Sequence, residues 1–403
     1  MPIPSRSAAR RVAVARLISL TGTEAAFTAL LFVLFKRTGS STWLAAALLL
    51  TIGMQGILSP FGGAIGDRFD RRRVMIASDL LGALCFIAMA FAGSPVALLG
   101  VAFAAAVAET PFFPASSAAV PNLVAPSDLA WANGTIAFGS NLGYLAGPGL
   151  GGLLVAWLGA RAVFVGNGLT FLVSALLVAS VRGSFTGPRD EEEAEAHRGM
   201  RAGFVFVWRD PTLRTMFRSF ALVALCVGSV LVAELPLTTS FHGGSIGFGL
   251  LATSFGAGAV VGSLMGKRLT PQTERPVMVA ASFINGAAFA SVVLMPALLP
   301  VFGAMVVAGA ADGIVEVATE VIFQRRSPDL VRSRVIAALE AVFHGGLAVS
   351  FLFAGTLVDA FGPKAAYALA GAGCTVAAII LVPVLRERAG HAQTTPQEPE
   401  VLP

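Results

Sequence analysis

Apolar residues run through this chain in blocks of roughly twenty, broken by short polar turns. A helix needs about 20 apolar residues to cross ~30 Å of hydrocarbon, so each block is long enough for one span. The pattern predicts membrane helices over 14–35, 43–66, 74–93, 96–114, 131–157 and 161–181, then over 215–240, 246–266, 277–295, 298–323, 335–360 and 364–385. Arg10 and Arg11 ahead of the first block resemble the start of a signal peptide. Its apolar run is long for that purpose and no small-residue cleavage site follows near Lys36 and Arg37, so a retained span is expected.

One substantial polar break interrupts the series, from Arg182 to Asp210, with Pro188 and the acidic run Asp190 to Glu193. It divides the chain into a six-helix bundle (1–182), a cytoplasmic linker (183–213), a second six-helix bundle (214–388) and a disordered cytoplasmic tail (389–403). Within the linker Phe204, Val205, Val207 and Trp208 are interleaved with basic residues, the pattern of a short helix lying on the membrane surface. The halves echo each other. The second block ends Gly62-Gly63-Ala64-Ile65-Gly66 and the eighth ends Gly262-Ser263-Leu264-Met265-Gly266, each followed by a basic turn. The fold class expected is therefore an all-α integral membrane protein of twelve transmembrane helices in two pseudo-symmetric six-helix bundles.

Composition agrees. The chain has 403 residues, 56% of them hydrophobic and 13% charged, with mean hydropathy +0.78, too little polar surface to cover a soluble globule. If the N-terminus lies inside, every one of the 28 Lys and Arg except Lys36, Arg37, Arg161 and Lys364 falls on the cytoplasmic side, Arg16 included. Positive-inside bias then places both termini in the cytoplasm and the chain in the cell (inner) membrane. The net charge of +5 reflects that topology and contact with inner-leaflet lipid, with no nucleic-acid partner. Cys85, Cys226 and Cys374 are expected to pack as small apolar residues. The sequence carries no metal-ligand cluster and no phosphate-binding Gly-Lys-Ser loop, so no enzyme, catalytic residue, metal or cofactor is expected.

Among the carboxylates inside the apolar blocks, seven stand out: Glu24, Glu109, Glu234, Asp312, Glu316, Glu320 and Glu340. Ionisable groups at bilayer depth are costly and mark ion or substrate pathways. Asp312, Glu316 and Glu320 recur every four residues and share a stripe of the tenth helix. Glu320 is expected to pair with Arg325 or Arg326. Glu340 and His344 share a face of the eleventh helix, either as a proton relay or as a structural hydrogen bond.

Two motifs go further. The loop after the second span reads Gly63-Ala64-Ile65-Gly66-Asp67-Arg68, then Asp70-Arg71-Arg72-Arg73. It resembles the loop motif of the major facilitator superfamily, with Asp70 where many members have Gly. That resemblance implies that Asp67 faces the positive N-terminal end of the eleventh helix and latches the halves on the cytoplasmic side. The fifth span carries Gly134, Gly143, Gly147-Pro148 and Gly151-Gly152, similar at every fixed position to the motif of proton-coupled drug exporters. Gly258, Gly262 and Gly266 of the eighth span offer a matching small face for it. Phe113-Pro114-Ala115, Ala132-Asn133-Gly134 and Trp208-Arg209-Asp210-Pro211 resemble the macrolide-efflux and enterobactin-exporter branch.

The resemblance implies the major facilitator fold, in which the first, fourth, seventh and tenth helices line a central cavity. Glu24, Glu109, Glu234 and Asp312 fall one on each. Removing water from a carboxyl favours its protonated form, so acids in such a lining can exchange protons near neutral pH, and Glu24 is the leading coupling candidate. No Arg lies between Val101 and Ala108, where many proton-coupled relatives carry one. The expected function is proton-coupled export of an amphipathic small molecule by alternating access, as a monomer whose partners are substrate, protons and lipid. Nutrient uptake or facilitated diffusion is the alternative.

Overall fold

The computed structural model describes residues 6–385 apart from 55–57, 59, 60, 63, 66, 67, 126, 127, 182, 184, 186–199, 267, 271 and 328. The helices are α1 Arg6–Thr38, α2 Ser41–Leu48 (continued by a π turn, Leu49–Gly53), α3 Arg71–Met89, α4 Pro95–Glu109, α5 Phe112–Leu123, α6 Leu129–Leu158 and α7 Ala160–Ser180. They continue with α8 Met200–Arg209, α9 Pro211–Ser240, α10 Gly244–Gly266, α11 Glu274–Ser291, α12 Leu298–Arg326, α13 Asp329–Phe361 and α14 Pro363–Leu381. Among the described residues nine helices are long and apolar enough to cross a membrane. The other expected spans are represented by α2, α3 and α6. The expected tail after Arg388 and the acidic run at 190–193 lie outside the described residues.

Side-chain caps set several starts. The Asp70 carboxylate accepts from the backbone N–H of Arg73 at 2.9 Å and opens α3, which explains the acid where the loop motif often has Gly. Ser94 with Pro95 opens α4, and Asp210 with Pro211 opens α9. The expected fourth span is longer than its apolar pattern. It breaks at Thr110 and Pro111, where α4 ends at Glu109, then resumes as α5 to Leu123. The surface helix of the linker is α8: Val207 is buried, while Val205 and Trp208 stay exposed, and Trp208 stands edge-on to Phe217.

Glycine fixes how the helices approach. A Cβ at Gly139 would meet the Ala13 carbonyl, one at Gly143 the backbone of Thr21, one at Gly147 the Glu24 side chain and one at Gly151 the backbone of Ala25. These four residues recur every turn of α6 and let it lie parallel to α1 at backbone contact. Gly258 and Gly262 perform the same task between α10 and α12, where an added Cβ would stand 2.1 Å from the Val306 carbonyl oxygen and 2.0 Å from that of Ala310. The sequence echo is thus matched in packing: Gly62 closes on Thr110 beside the fourth span, and Gly262 closes on Ala310 in the tenth. The expected pairing of Gly258, Gly262 and Gly266 with the fifth span does not occur. The face of α10 turned to α6 is instead Ser245, Gly249 and Thr253.

One end of the molecule is basic. There Arg6 pairs with Asp128 at 2.8 Å, Arg11 donates to the Ser180 carbonyl at 2.9 Å, and Arg72 donates to that of Ala179. The last two satisfy the carbonyl end of α7. In the second half Arg326 pairs with Asp210 at 2.9 Å and Arg325 with Glu274 at 2.8 Å, so Arg325 does not take the expected partner Glu320. At the opposite end Arg37 donates to the Ala92 carbonyl, and Lys364 to those of Val293 and Met295.

The described hydrogen bonds that cross between the two halves of the chain lie from mid-depth toward this opposite end. Ser245 Oγ donates to the Gly152 carbonyl at 3.0 Å and Thr253 Oγ1 to that of Leu145 at 3.4 Å. Asp359, in the last turn of α13, caps the start of α2. Its carboxylate accepts from Ser40 Oγ at 2.7 Å, the Ser41 N–H at 2.7 Å and Thr42 Oγ1 at 3.0 Å. A carboxylate at an exposed helix N-terminus is worth about 0.3–1 kcal/mol, enough to bias an equilibrium between arrangements of the halves. We expect Asp359→Ala to loosen this closure. A cysteine placed at Ser41, only 2% exposed, should then react several-fold faster with a membrane-impermeant maleimide than it does with Asp359 intact. Equal rates would remove the cap from the closure.

Candidate transport site

The carboxylates fall into three groups. The first surrounds Glu24, near the middle of α1. Gly147 leaves the room: an added Cβ there would stand 2.3 Å from Glu24 Cβ. Glu24 is half-buried, and the described residues offer it no ion pair. Glu109, also half-buried, ends α4 at the Pro111 break and lies within electrostatic reach of both Glu24 and Asp79. Tyr144 of α6 lies within reach of Glu24 and Glu109.

Two members of this group escaped the sequence reading. Asp79 lies on α3 in a block counted as apolar, yet it is 1% exposed, with its carboxylate against Ser174 of α7. A charge in an otherwise apolar block was the available signal. Arg16, assigned from sequence to the cytoplasmic flank, is 7% exposed inside α1, with its guanidinium 4.5 Å from the centre of the Phe113 ring.

The second group lies on α12 and α13. Asp312, half-buried, neighbours Glu316, and Glu316 is within reach of both Glu320 and Glu340. The predicted stripe thus exists and gains Glu340 from the next helix. His344 Nδ1 lies 3.5 Å from Glu340 Oε2 and 3.0 Å from the Glu340 carbonyl oxygen, joining the two residues as expected. Glu234 stands apart. It is 8% exposed and faces Tyr367, whose buried hydroxyl has no partner among the described residues, so Glu234 belongs to the packed interior.

The loop motif is described only in part. Gly63 and Asp67 lie outside the described residues, as do the side chains at the start of α13. Arg68 and Arg73 are exposed, and Arg71 donates to the Ala118 carbonyl at 2.8 Å. In the fifth-helix motif, Gly143, Gly147 and Gly151 face α1, whereas Pro148 and Gly152 face α10: a Cβ at Gly249 would meet the Pro148 carbonyl oxygen at 2.4 Å. Gly134 meets nothing within 4 Å. Phe171, Asn285 and Phe289 pack in the interior, while Phe138 and Asn141 are exposed.

A family model described as transmembrane secretion effector matches residues 8–401. The chain belongs to that family. The multidrug efflux pump Tap of Mycobacterium tuberculosis strain H37Rv is 26% identical over 402 residues, covering 95% of each protein. The putative bacilysin exporter BacE of Bacillus subtilis strain 168 is 23% identical over 318 residues, covering 76% of this chain and 78% of that one. Among solved structures, a bacterial homologue of the lysosomal transporter Spinster, inward-facing and unoccupied, superposes with TM-score 0.72 at 17% identity, over 94% of this chain and 96% of that one. A bacterial homologue of the iron transporter ferroportin, also inward-facing, gives TM-score 0.71 at 16% identity over 94% and 99%. The family member described here has the major facilitator fold, spans the membrane several times and is a transporter, not an enzyme.

Gly147 offers a direct test of the Glu24 seat. Gly147→Val forces atoms into a filled contact, at a cost of about 1–3 kcal/mol, and should lower the thermal midpoint of the purified protein. Gly134→Val meets no neighbour and should leave it within error. Equal midpoints for the two variants would mean that α6 does not rest on α1 through Gly147.

Proposed function

We propose that this transporter exports an amphipathic small molecule in exchange for protons, by alternating access across the cell membrane with both termini in the cytoplasm. The observation that carries the reading is Glu24: a half-buried carboxyl with no ion-pair partner, seated in a glycine contact of the helix whose motif resembles that of proton-coupled exporters. Such a group is cheap to hold neutral at this depth and costly to hold charged, so loading and unloading its proton changes which arrangement of the helices is favoured. The names of Tap and BacE support export as the direction.

In this reading residues 1–182 and 214–388 are the two moving bundles, joined by 183–213. The basic end faces the cytoplasm, and the closure made by Asp359, Ser245 and Thr253 seals the outer side. Asp67 supplies the opposing latch at the inner side, against the start of α13. A proton reaches Glu24 from outside when the outer closure opens and leaves to the cytoplasm when it re-forms. Glu109 and Asp79 extend the acidic group, and Asp312 with Glu316 faces it from the other bundle as the second candidate for proton or cationic cargo. One chain holds the whole pathway, so a monomer suffices.

The test is accumulation of a fluorescent drug in inverted vesicles under an imposed gradient, acid inside. Wild-type uptake should collapse with a protonophore. Glu24→Gln should lose the response to the gradient while still equilibrating drug across the membrane. Wild-type pumping by that variant would exclude Glu24 as the coupling group. A protonophore-insensitive wild type would exclude proton exchange itself.

A further inference from the structure

The acids of the transport site absorb the proton chemistry but leave Arg16 without a task. Among the described residues its guanidinium has no acid within ion-pair distance and no hydrogen bond, and Nη2 is wholly buried. Stacking over Phe113 supplies only part of what a buried cation loses on leaving water, because the ring gives no acceptor for its N–H groups. A buried, unpaired guanidinium is expensive unless something supplies the missing acceptors.

Arg16 is not alone. The glycine contacts fix the register of the two parallel helices, with Gly139 against Ala13 and Gly143 against Leu17, Leu20 and Thr21. Ser140 therefore sits beside the turn of α1 that bears Arg16, and Ser140 Oγ is also buried without a partner. One turn further, Tyr144 lies within electrostatic reach of Arg16 on one side and of Glu24 and Glu109 on the other. Phe113 and Tyr144 are 65% and 54% exposed and reach the surface beside the buried guanidinium. Three groups able to donate, none with an acceptor among the described residues, thus lie together just beneath that surface.

We propose that Arg16, Ser140 and Tyr144 form an oxyanion-accepting subsite that takes the carboxylate of an amphipathic cargo. Guanidinium and carboxylate pair through two parallel N–H···O bonds, and hydroxyls at 140 and 144 complete the oxygen lone pairs. Phe113 provides an apolar wall for the adjoining carbon skeleton. Eight residues of helix separate Arg16 from Glu24, about 12 Å at 1.5 Å per residue. A cargo held by its acid at Arg16 can therefore extend to the proton site and compete there with the proton on Glu24. This inference rests on the transport reading but not on its direction or its coupling ion.

Equilibrium binding to the purified protein tests it without any gradient. The probes are dansyl-leucine and dansyl-leucinamide, which share a skeleton and differ by the carboxylate. Arg16→Gln should weaken the acid about tenfold or more, the range of a charge-assisted hydrogen bond, and change the amide less than about twofold. Arg16→Lys should restore part of the acid's affinity. Ser140→Ala and Tyr144→Phe, which remove single hydroxyls and keep the fold if Arg16→Gln does not, should each weaken only the acid. Equal weakening of both probes, or none of either, would overturn the subsite. So would displacement of the acid by phosphatidylglycerol that depends on Arg16, since the oxyanion would then be a lipid headgroup. Loss of protonophore sensitivity with binding intact would count against the coupling reading alone.

Discussion

The approach of α6 to α1 is the contact on which the rest depends. Lipid tails are as apolar as leucine, so no hydrophobic drive brings two membrane helices together, and close van der Waals packing has to supply it. Four glycines a turn apart let the backbones meet, and the opposite edge of α6, at Pro148 and Gly152, meets α10 of the other half just as closely. One helix is thereby pressed between the bundle that holds Glu24 and the bundle that must move against it. In the proposed cycle a change in the charge of Glu24 is passed to the contact between the halves through α6, whose Gly147 meets Glu24 and whose Pro148 meets α10.

The halves are also tied by helix polarity. Helices α2 and α13 run antiparallel and belong to different halves, so α2 presents its positive N-terminus near the C-terminal end of α13. At one end Asp359 of α13 caps α2. At the other end the resemblance to the superfamily's loop motif implies that Asp67, just beyond the second span, is the carboxylate for the start of α13. In the proposed cycle these two carboxylates are alternatives: the arrangement that satisfies one separates the other from its helix end. Such a device needs no large binding energy, since each cap is worth little and the two nearly balance.

The fold was legible because span length and the placement of Lys and Arg are properties of sequence alone. The glycine motif of the fifth span was legible too, and its residues from Gly143 to Gly152 meet neighbouring helices, whereas Gly134 meets nothing within 4 Å. The motif's partner was not legible. Gly258 and Gly262 read as a small face available to any helix, and only packing assigns them to α12. Asp79 and Arg16 were missed for a related reason. Asp79 is one charge in an apolar stretch, with no sequence neighbour to mark it. Arg16 stands in a series with Arg6, Arg10 and Arg11, which made it look like a topogenic flank until the first helix began at Arg6 and carried it into the interior. The separation of Glu234 from the other acids was likewise invisible, because which way a helical side chain turns depends on neighbours far along the chain.

The central claim is that cargo and proton compete through the charge of Glu24. The most direct measurement is proton release on cargo binding, followed with a pH dye in weakly buffered detergent solution of the purified transporter. The wild type should release about one proton per bound drug near neutral pH, where a desolvated carboxyl still holds its proton, and Glu24→Gln should bind drug and release none. Equal release by both proteins would place the exchanged proton elsewhere and contradict the account.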